Sequence, residues 1–173
     1  MKKTILSIVM LTTFSAFSQT QVVFKIEHCK DKMTDKEYYF AEKKLICAND
    51  SKTKGFTITP SFKAEGSGMV NNGFLCKNVN IGNCDENDTL ILLFEDGNKE
   101  TLNAWNKFNC EGNAYFDFTD DQLQLLKTKK VSAIRFSNGR TYDTLTYTMK
   151  PTEQDYFIRV YTNFKIVEVD CSK

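Results

Sequence analysis

The chain has 173 residues, of which 41% are hydrophobic and 26% are charged. Its 23 basic residues nearly balance its 22 acidic residues, so no charge excess predicts binding to nucleic acid or to an anionic membrane. The length fits one domain, and the composition excludes a disordered, collagen-like or coiled-coil chain.

The N-terminal residues have the layout of a secretory signal peptide. Two lysines begin it, an apolar run from Ile5 to Phe17 follows, and a small residue, Ser18, precedes the expected cleavage. The run is too short to span a bilayer as a stable helix, and no later stretch is apolar enough to do so. We therefore expect residues 1–18 to be a signal peptide and residues 19–173 to form one domain without a transmembrane segment. The expected location is secreted or periplasmic.

The cysteine content agrees with export. The six cysteines, all in the expected mature part, are Cys29, Cys47, Cys76, Cys84, Cys110 and Cys171. An even number of cysteines in an exported chain predicts disulfide bonds, because thiols oxidise outside the reducing cytosol. Metal binding is the alternative, but the chain has one histidine and no closely spaced cysteine pair. We expect six disulfide-bonded cysteines, no metal site and no cofactor.

Most of the hydrophobic patterning has a period of two, which is typical of strands. Leu90–Phe94 is apolar on both faces, which favours a central strand. Further predicted strands lie around Phe24, Phe56 and Ile58, and at residues 38–40, 45–47, 102–105, 115–118, 131–136 and 142–149. Asn and Gly separate many of them. The predicted fold class is mainly β, with antiparallel sheets arranged like a β-sandwich.

The hairpin after Leu90–Phe94 predicts one disulfide. A three-residue loop at 96–98 would place Glu95 opposite Lys99 and would also align Cys84 with Cys110 across the open end of the hairpin. Cys84–Cys110 is therefore the pairing that we expect. The other four cysteines have three possible pairings, which the sequence does not separate.

A second hairpin turns at Asn138-Gly139, a dipeptide that favours a tight turn. A two-residue loop would place Ile134 opposite Asp143 and would mix apolar and charged side chains on one face. A three-residue loop would place Ile134 opposite Tyr142, and we prefer it because it keeps the apolar residues together.

One short helix is strongly predicted after Thr119, which forms a capping box with Gln122. Acidic residues follow in its first turn and lysines occur near its end, as the helix dipole favours. A second, C-terminal helix is predicted after Pro151 with Thr152 as its cap, although this stretch also fits a strand. The β-branched tail, residues 166–169, is the reason that the whole stretch could instead be a strand, and we prefer the helix.

No catalytic motif is present. With a single histidine the HExxH zinc motif is impossible, and the GxSxG, GxxxxGK[ST] and GxGxxG motifs are missing. His28 is the only available imidazole base, and its position beside Cys29 favours a structural role. The carboxylates Asp31 and Asp35 are a candidate acid–base pair that the sequence cannot place in one cleft. We predict no catalytic residue.

Two other stretches are candidate binding residues. Asp85-Glu86-Asn87-Asp88 offers oxygen ligands for calcium but lacks the EF-hand spacing, so we expect a solvated acidic loop. The clustered aromatics Trp105, Tyr115, Phe116 and Phe118 favour a core, with stacking on sugars or on a partner as the alternative.

Two short segments resemble exported bacterial proteins. Asp31-Lys32-Met33-Thr34-Asp35 resembles the D-x-M-T-D turn that leads into a strand in exported β-sandwich proteins, including the invasion-associated locus B type. Residues 107–112, KFNCEG, are similar to stretches in small exported proteins of unassigned function. The resemblance implies an exported β-rich domain and no catalytic residue.

The function that we expect is a non-catalytic binding or envelope-associated module whose partner is an unknown protein or a glycan. One alternative is a small secreted hydrolase that uses His28 or a carboxylate pair. Another is an enzyme inhibitor that presents a disulfide-braced loop between Cys76 and Cys84.

Overall fold

The computed structural model describes residues 23–65 and 68–171. The predicted signal peptide, residues 1–18, lies outside these residues. Within them the chain forms eleven strands and two helices. In chain order these are β1 (Phe24–Lys30), β2 (Glu37–Ala41), β3 (Leu45–Ala48), β4 (Gly55–Glu65), β5 (Gly68–Val79), β6 (Thr89–Phe94), β7 (Lys99–Asn103), β8 (Asn113–Asp117), α1 (Asp120–Thr128), β9 (Val131–Ser137), β10 (Thr144–Thr148), α2 (Tyr156–Thr162) and β11 (Phe164–Glu168).

The larger sheet has the strand order β11-β1-β2-β4-β5-β8, and β3 also pairs with β4. The pair β1–β11 is parallel, and the other pairs are antiparallel. The long hairpin of β4 and β5 forms the centre of this sheet. Because β5 occupies one edge of β4, β2 and β3 follow one another along its other edge.

The smaller sheet has the order β10-β9-β6-β7 and is antiparallel throughout. The prediction that Leu90–Phe94 is a central strand is confirmed, since β6 lies between β7 and β9. Leu90, Leu92 and Phe94 are buried, whereas the alternate residues are half-buried.

The core lies between the two sheets and is closed by the helices. Phe56 of the larger sheet stacks on Phe136 of the smaller one, with ring centroids 5.7 Å apart. Phe157 of α2 packs against Phe74 of β5, and Leu126 is the buried residue of α1. One cluster of buried side chains therefore joins both sheets and both helices.

The structure confirms the predicted fold class, which is mainly β with antiparallel sheets. It also confirms the capping box of α1, in which the Thr119 hydroxyl accepts from the Gln122 N–H and the Gln122 side chain accepts from the Thr119 N–H. The C-terminal helix is present but begins at Tyr156, with Asp155 rather than Thr152 at its N-cap. The residues that follow it form β11, which includes the β-branched tail up to Glu168.

Neither helix of the described chain has the length and apolar content needed to span a bilayer.

The register predicted for the first hairpin is wrong. Leu90 faces Leu102, and the loop is Glu95-Asp96-Gly97, closed by a bond from the Phe94 N–H to the Asn98 carbonyl. Gly97 has a φ of 84°, and a three-residue hairpin loop needs its left-handed residue at the last position. The position of the glycine therefore sets the loop one residue earlier than predicted.

Both registers considered for the second hairpin are also wrong. Ile134 faces Tyr147, and the loop runs from Asn138 to Asp143. The Asn138 side chain is buried, and its Oδ1 accepts from the N–H groups of Arg140 and Thr141. This side chain organises a wider loop in place of the tight turn that Asn-Gly usually forms.

The disulfide predicted between Cys84 and Cys110 is present, although the ladder beside it has a different register. The ladder ends at Thr89, and an isolated bridge pairs Asp85 with Asn109. Between Asp85 and Thr89 the chain is irregular, and this change of register lets Cys84 face Cys110. A second disulfide joins Cys29 to Cys171.

The prediction that all six cysteines are oxidised is wrong for Cys47 and Cys76, which are free thiols with no exposed surface. Cys47 lies on β3 and Cys76 on β5, on opposite sides of β4. Two strand spacings place such residues roughly 9.5 Å apart, and a disulfide spans Cα separations of at most about 7 Å. The sheet itself therefore keeps these two thiols apart.

Candidate binding surface

The four clustered aromatics separate into two groups. Phe116 is buried in the core, and Phe118 packs against it. Trp105 and Tyr115 lie on the outer face of the larger sheet, where 61% of Trp105 is exposed. The alternation of β8 explains the division, because Phe116 points inward and Tyr115 points outward.

Backbone contacts hold Trp105 beside β8. The Trp105 N–H donates to the Tyr115 carbonyl at 3.0 Å, and the Tyr115 N–H donates to the Asn106 side-chain oxygen at 3.0 Å. The residues after β7 thus replace a neighbouring strand at the edge of the larger sheet. The Trp105 ring packs on the Tyr115 ring with centroids 5.2 Å apart and an angle of 36° between the rings.

The exposed ring is also fixed by a hydrogen bond. The Trp105 indole N–H donates to the Asp117 carboxylate at 3.1 Å. Because the ring is held on one side by Tyr115 and at its nitrogen by Asp117, its exposed surface is presented in one orientation. Less side-chain entropy is then lost when a ligand covers it.

The outward-facing side chains beside Trp105 form a row that runs from β8 across β5 to β4. Leu75 of β5 lies opposite Tyr115, and Thr59 of β4 lies opposite Leu75. Polar residues of the same face flank this row. We call the set Trp105, Tyr115, Leu75, Thr59, Asp117, Asn113 and Lys77 the aromatic platform.

The platform combines two kinds of recognition chemistry. Its aromatic and aliphatic surfaces pack against C–H groups, and Asp117, Asn113 and Lys77 supply a carboxylate, an amide and an ammonium group beside them. Aromatic side chains provide large contact areas at a small cost in conformational entropy. The arrangement therefore suits a ligand with both apolar faces and hydroxyl groups.

Among the described residues, the contacts of His28 are with two carboxylates and an aromatic ring. Its Nδ1 contacts Glu168 of β11 at 2.7 Å, its Nε2 lies 3.6 Å from Glu37 of β2, and its ring stacks on Tyr39. Its neighbour Cys29 is held in a disulfide. The imidazole thus joins three strands of the larger sheet, as expected for a structural histidine.

The acidic stretch Asp85–Asp88 is not the solvated loop that we expect from the sequence, because Asp85 and Asp88 are buried. Asn78 donates to one oxygen of Asp85, and the Gly139 N–H donates to Asp88 Oδ1 at 2.9 Å. Burial raises the pKa of Asp85 to about 6, and the neighbouring Asp88 adds to the effect. Burial also raises the pKa of Asp88. The pair lies in the interior, where a substrate has no access.

Metal ligation has no support in the described chain, in which no group of three or more His, Cys, Asp or Glu side chains could hold an ion. The other carboxylate pair is also accounted for. Asp31 accepts from the Met33 N–H at 2.8 Å, and its backbone N–H donates to Lys36. Asp35 forms an ion pair with Lys30. These contacts build the turn that leads into β2.

A cleft of about 710 Å³ opens between β3–β4 and the segment after β10. Cys47, Tyr147 and Glu153 lie along it, and the Tyr147 hydroxyl donates to Glu153 at 2.7 Å. Burial raises the pKa of the Cys47 thiol and of the Tyr147 hydroxyl. Both groups are therefore protonated at neutral pH, and neither is an activated nucleophile.

Sequence reasoning missed part of the platform. The pattern of β5 does not predict a strand, so Leu75 and Lys77 could not be placed beside Tyr115. Sequence reasoning also missed Phe108, an exposed aromatic residue. The guanidinium carbon of Arg140 lies over its ring, 4.8 Å from the ring centroid. The clustering of aromatics around residue 105 was the available signal for the site.

Comparison with known proteins finds no matching family model, no matching curated protein and no matching solved structure.

Proposed function

We propose that this protein is an exported, non-catalytic binding module that recognises glycans through the aromatic platform. The observation that carries the proposal is the exposed Trp105 ring, which Tyr115 and Asp117 hold in place on the outer face of the larger sheet. A sugar ring has a C–H face that packs on an aromatic side chain and hydroxyl groups that bond to nearby carboxylates and amides.

Export is supported by the two disulfides, because such bonds persist in oxidising compartments. The non-catalytic part of the proposal rests on the state of the candidate groups. His28 bridges strands, Asp85 and Asp88 are enclosed, and Cys47 is protonated. The enzyme-inhibitor alternative requires a loop between Cys76 and Cys84 that disulfides brace at both ends. Cys76 is instead a buried free thiol in β5, so this end of the loop has no disulfide.

The experiment is a binding screen of the purified protein against immobilised glycans and bacterial envelope polysaccharides, followed by titration of each one that binds. Truncation of a central aromatic anchor costs about 2 kcal/mol, so Trp105→Ala should weaken binding by about 30-fold. Tyr142→Ala removes an aromatic side chain that is also exposed but lies outside the platform, and it should bind like the wild type.

Equal affinities for the wild type and Trp105→Ala would contradict the platform. If no glycan binds in the screen and a protein ligand is recovered whose binding depends on Trp105, then the partner of the platform is a protein and not a glycan.

A further inference from the structure

The strand β10 lies at the edge of the smaller sheet, and no other strand of the described residues pairs with its outer side. The Asn138 N–H donates to the Asp143 carbonyl, and the Met149 N–H donates to the Ser132 carbonyl. Residues 145 and 147 of β10, like the flanking residues 143 and 149, therefore point their backbone groups toward β9. The N–H and C=O groups of the alternate residues point away from the sheet. These residues are Thr144, Thr146 and Thr148, and all three are exposed.

Natural proteins usually blunt such an edge with a charge, a proline, a bulge or a very short strand. Residues 144–148, Thr-Leu-Thr-Tyr-Thr, contain neither charge nor proline, and their pairing with β9 has no register shift. The other free edges differ. The edge strand β7 begins with Lys99-Glu100, β11 carries Lys165 and Glu168, and β3 has only four residues.

The strand is also complementary to itself. When two copies of β10 run antiparallel about a two-fold axis at Thr146, each Thr144 faces a Thr148 and each Leu145 faces a Tyr147. Cross-strand threonine pairs and apolar–aromatic pairs are both favourable. The flanking residues have opposite charges, with Asp143 at one end and Lys150 at the other, so the acidic end of one copy meets the basic end of the second.

We propose that β10 pairs with β10 of a second copy of this chain, which joins the two smaller sheets into one continuous sheet. The interface is isologous, as in most homodimers. Each outward threonine would donate and accept a backbone hydrogen bond across it. The aromatic platform lies on the other sheet, so this inference is independent of the proposed function.

Cysteine cross-linking tests both the pairing and its register. About the two-fold axis, residue 146 lies opposite itself with a Cα separation of about 5.5 Å, which a disulfide spans. The Thr146→Cys variant, treated with oxidised glutathione as the electron acceptor, should run as a covalent dimer on non-reducing gels. The native Cys47 and Cys76 do not interfere because both thiols are buried.

The matched control is Thr144→Cys, which places the same thiol on the same exposed edge. In the proposed register its copies lie roughly 14 Å apart, and it should stay monomeric on the gel. Equal cross-linking of the two variants, or of neither, would overturn the proposed register.

A second pair of variants tests the interface without cysteine. Thr146→Pro removes an outward N–H that β9 does not use, so the fold should persist while the dimer is lost. Thr146→Ala keeps that N–H and should remain dimeric in sedimentation equilibrium. Circular dichroism and the intact disulfides report folding of both variants. A wild-type protein that sediments as a monomer at millimolar concentration, or a folded Thr146→Pro variant that is still dimeric, would refute the proposal.

Discussion

Asp85 and Asp88 lie side by side in the interior, with their carboxyl groups within hydrogen-bonding reach of one another. Each has one oxygen that accepts from a neighbouring donor, Asn78 or Gly139, and a second oxygen to which no described residue donates. A buried pair of this kind favours the protonated form, because two adjacent charges in the interior are costly. The pair therefore links folding to pH.

For Asp85 the sign follows from its pKa, which burial raises from 3.8 to about 6 in the folded protein. Its contribution to stability is fully present below the pKa of the unfolded chain and is lost as the pH rises through the folded value. Asp85→Asn mimics the neutral acid and lacks this dependence. Chemical denaturation should show the variant gaining stability relative to the wild type between pH 3.8 and 6.

The matched control for this titration is Asp50→Asn, at an exposed acid in the loop after β3. This replacement removes one negative charge at an exposed position, so it reports the effect of net charge alone on the free energy of unfolding. If the difference in the free energy of unfolding between Asp85→Asn and the wild type does not change with pH, the titration of Asp85 is not linked to folding.

The contact between Phe56 and Phe136 predicts a large loss of stability on truncation. Phe56→Ala should lower the free energy of unfolding by about 3–5 kcal/mol, because it removes the stacking between the sheets and leaves a cavity. Urea denaturation measures the effect. Ile46→Ala, at an exposed position on β3, should cost much less, and similar losses for the two variants would mean that the sheets do not pack as described.

The two disulfides should differ in their contributions. In the chain-entropy model, the Cys84–Cys110 link over 26 residues stabilises by about 3.5 kcal/mol, and the Cys29–Cys171 link over 142 residues by about 5 kcal/mol. Paired Cys→Ala replacements and denaturant titrations measure both. A larger loss for the Cys84–Cys110 variant would indicate that strain or residual structure dominates over loop length.

The thiols of Cys47 and Cys76 should be unreactive in the folded protein, because both are buried and burial raises the pKa of each thiol. Alkylation followed by mass spectrometry should find neither labelled under native conditions and both labelled in denaturant. Labelling of either thiol in the folded state would show that the core opens near β3 or β5.

The N-cap of α1 can be tested by a smaller change. Thr119→Ala removes the hydroxyl that accepts from the Gln122 N–H, and it should cost about 1 kcal/mol. Thr119→Ser keeps an accepting hydroxyl and should retain most of the stability. Equal losses in thermal denaturation would mean that the methyl group of Thr119, and not its hydroxyl, is important.

Features that depend on nearby residues were predictable from the sequence. The capping box around Thr119 involves residues three positions apart, and the apolar run of β6 is visible in the strand itself. In contrast, the loop after β9 depends on the burial of Asn138 against residues around Cys84, more than fifty positions earlier. A local turn preference could not indicate this contact.

The same reasoning explains why two residues of the aromatic platform, Leu75 and Lys77, were missed. The strand β5 has the sequence GMVNNGFLCKNV, in which Gly and Asn are typical of loops. Its extended conformation comes from pairing with β4 on one side and β8 on the other. Tertiary pairing outweighs local propensity here. The residues that β5 contributes beside Tyr115 could be identified only from the sheet.

The parallel pairing of β1 with β11 has a consequence for the order of assembly. Strand β1 can pair with β11 only when a distant, later segment of the chain is available, and the Cys29–Cys171 disulfide beside this pair joins residues 142 positions apart. The hairpin closed by Cys84 and Cys110 needs no such delay. During folding, the hairpin in the middle of the chain can therefore oxidise early, whereas the edge formed by β1 and β11 is completed late because its strands are far apart in sequence.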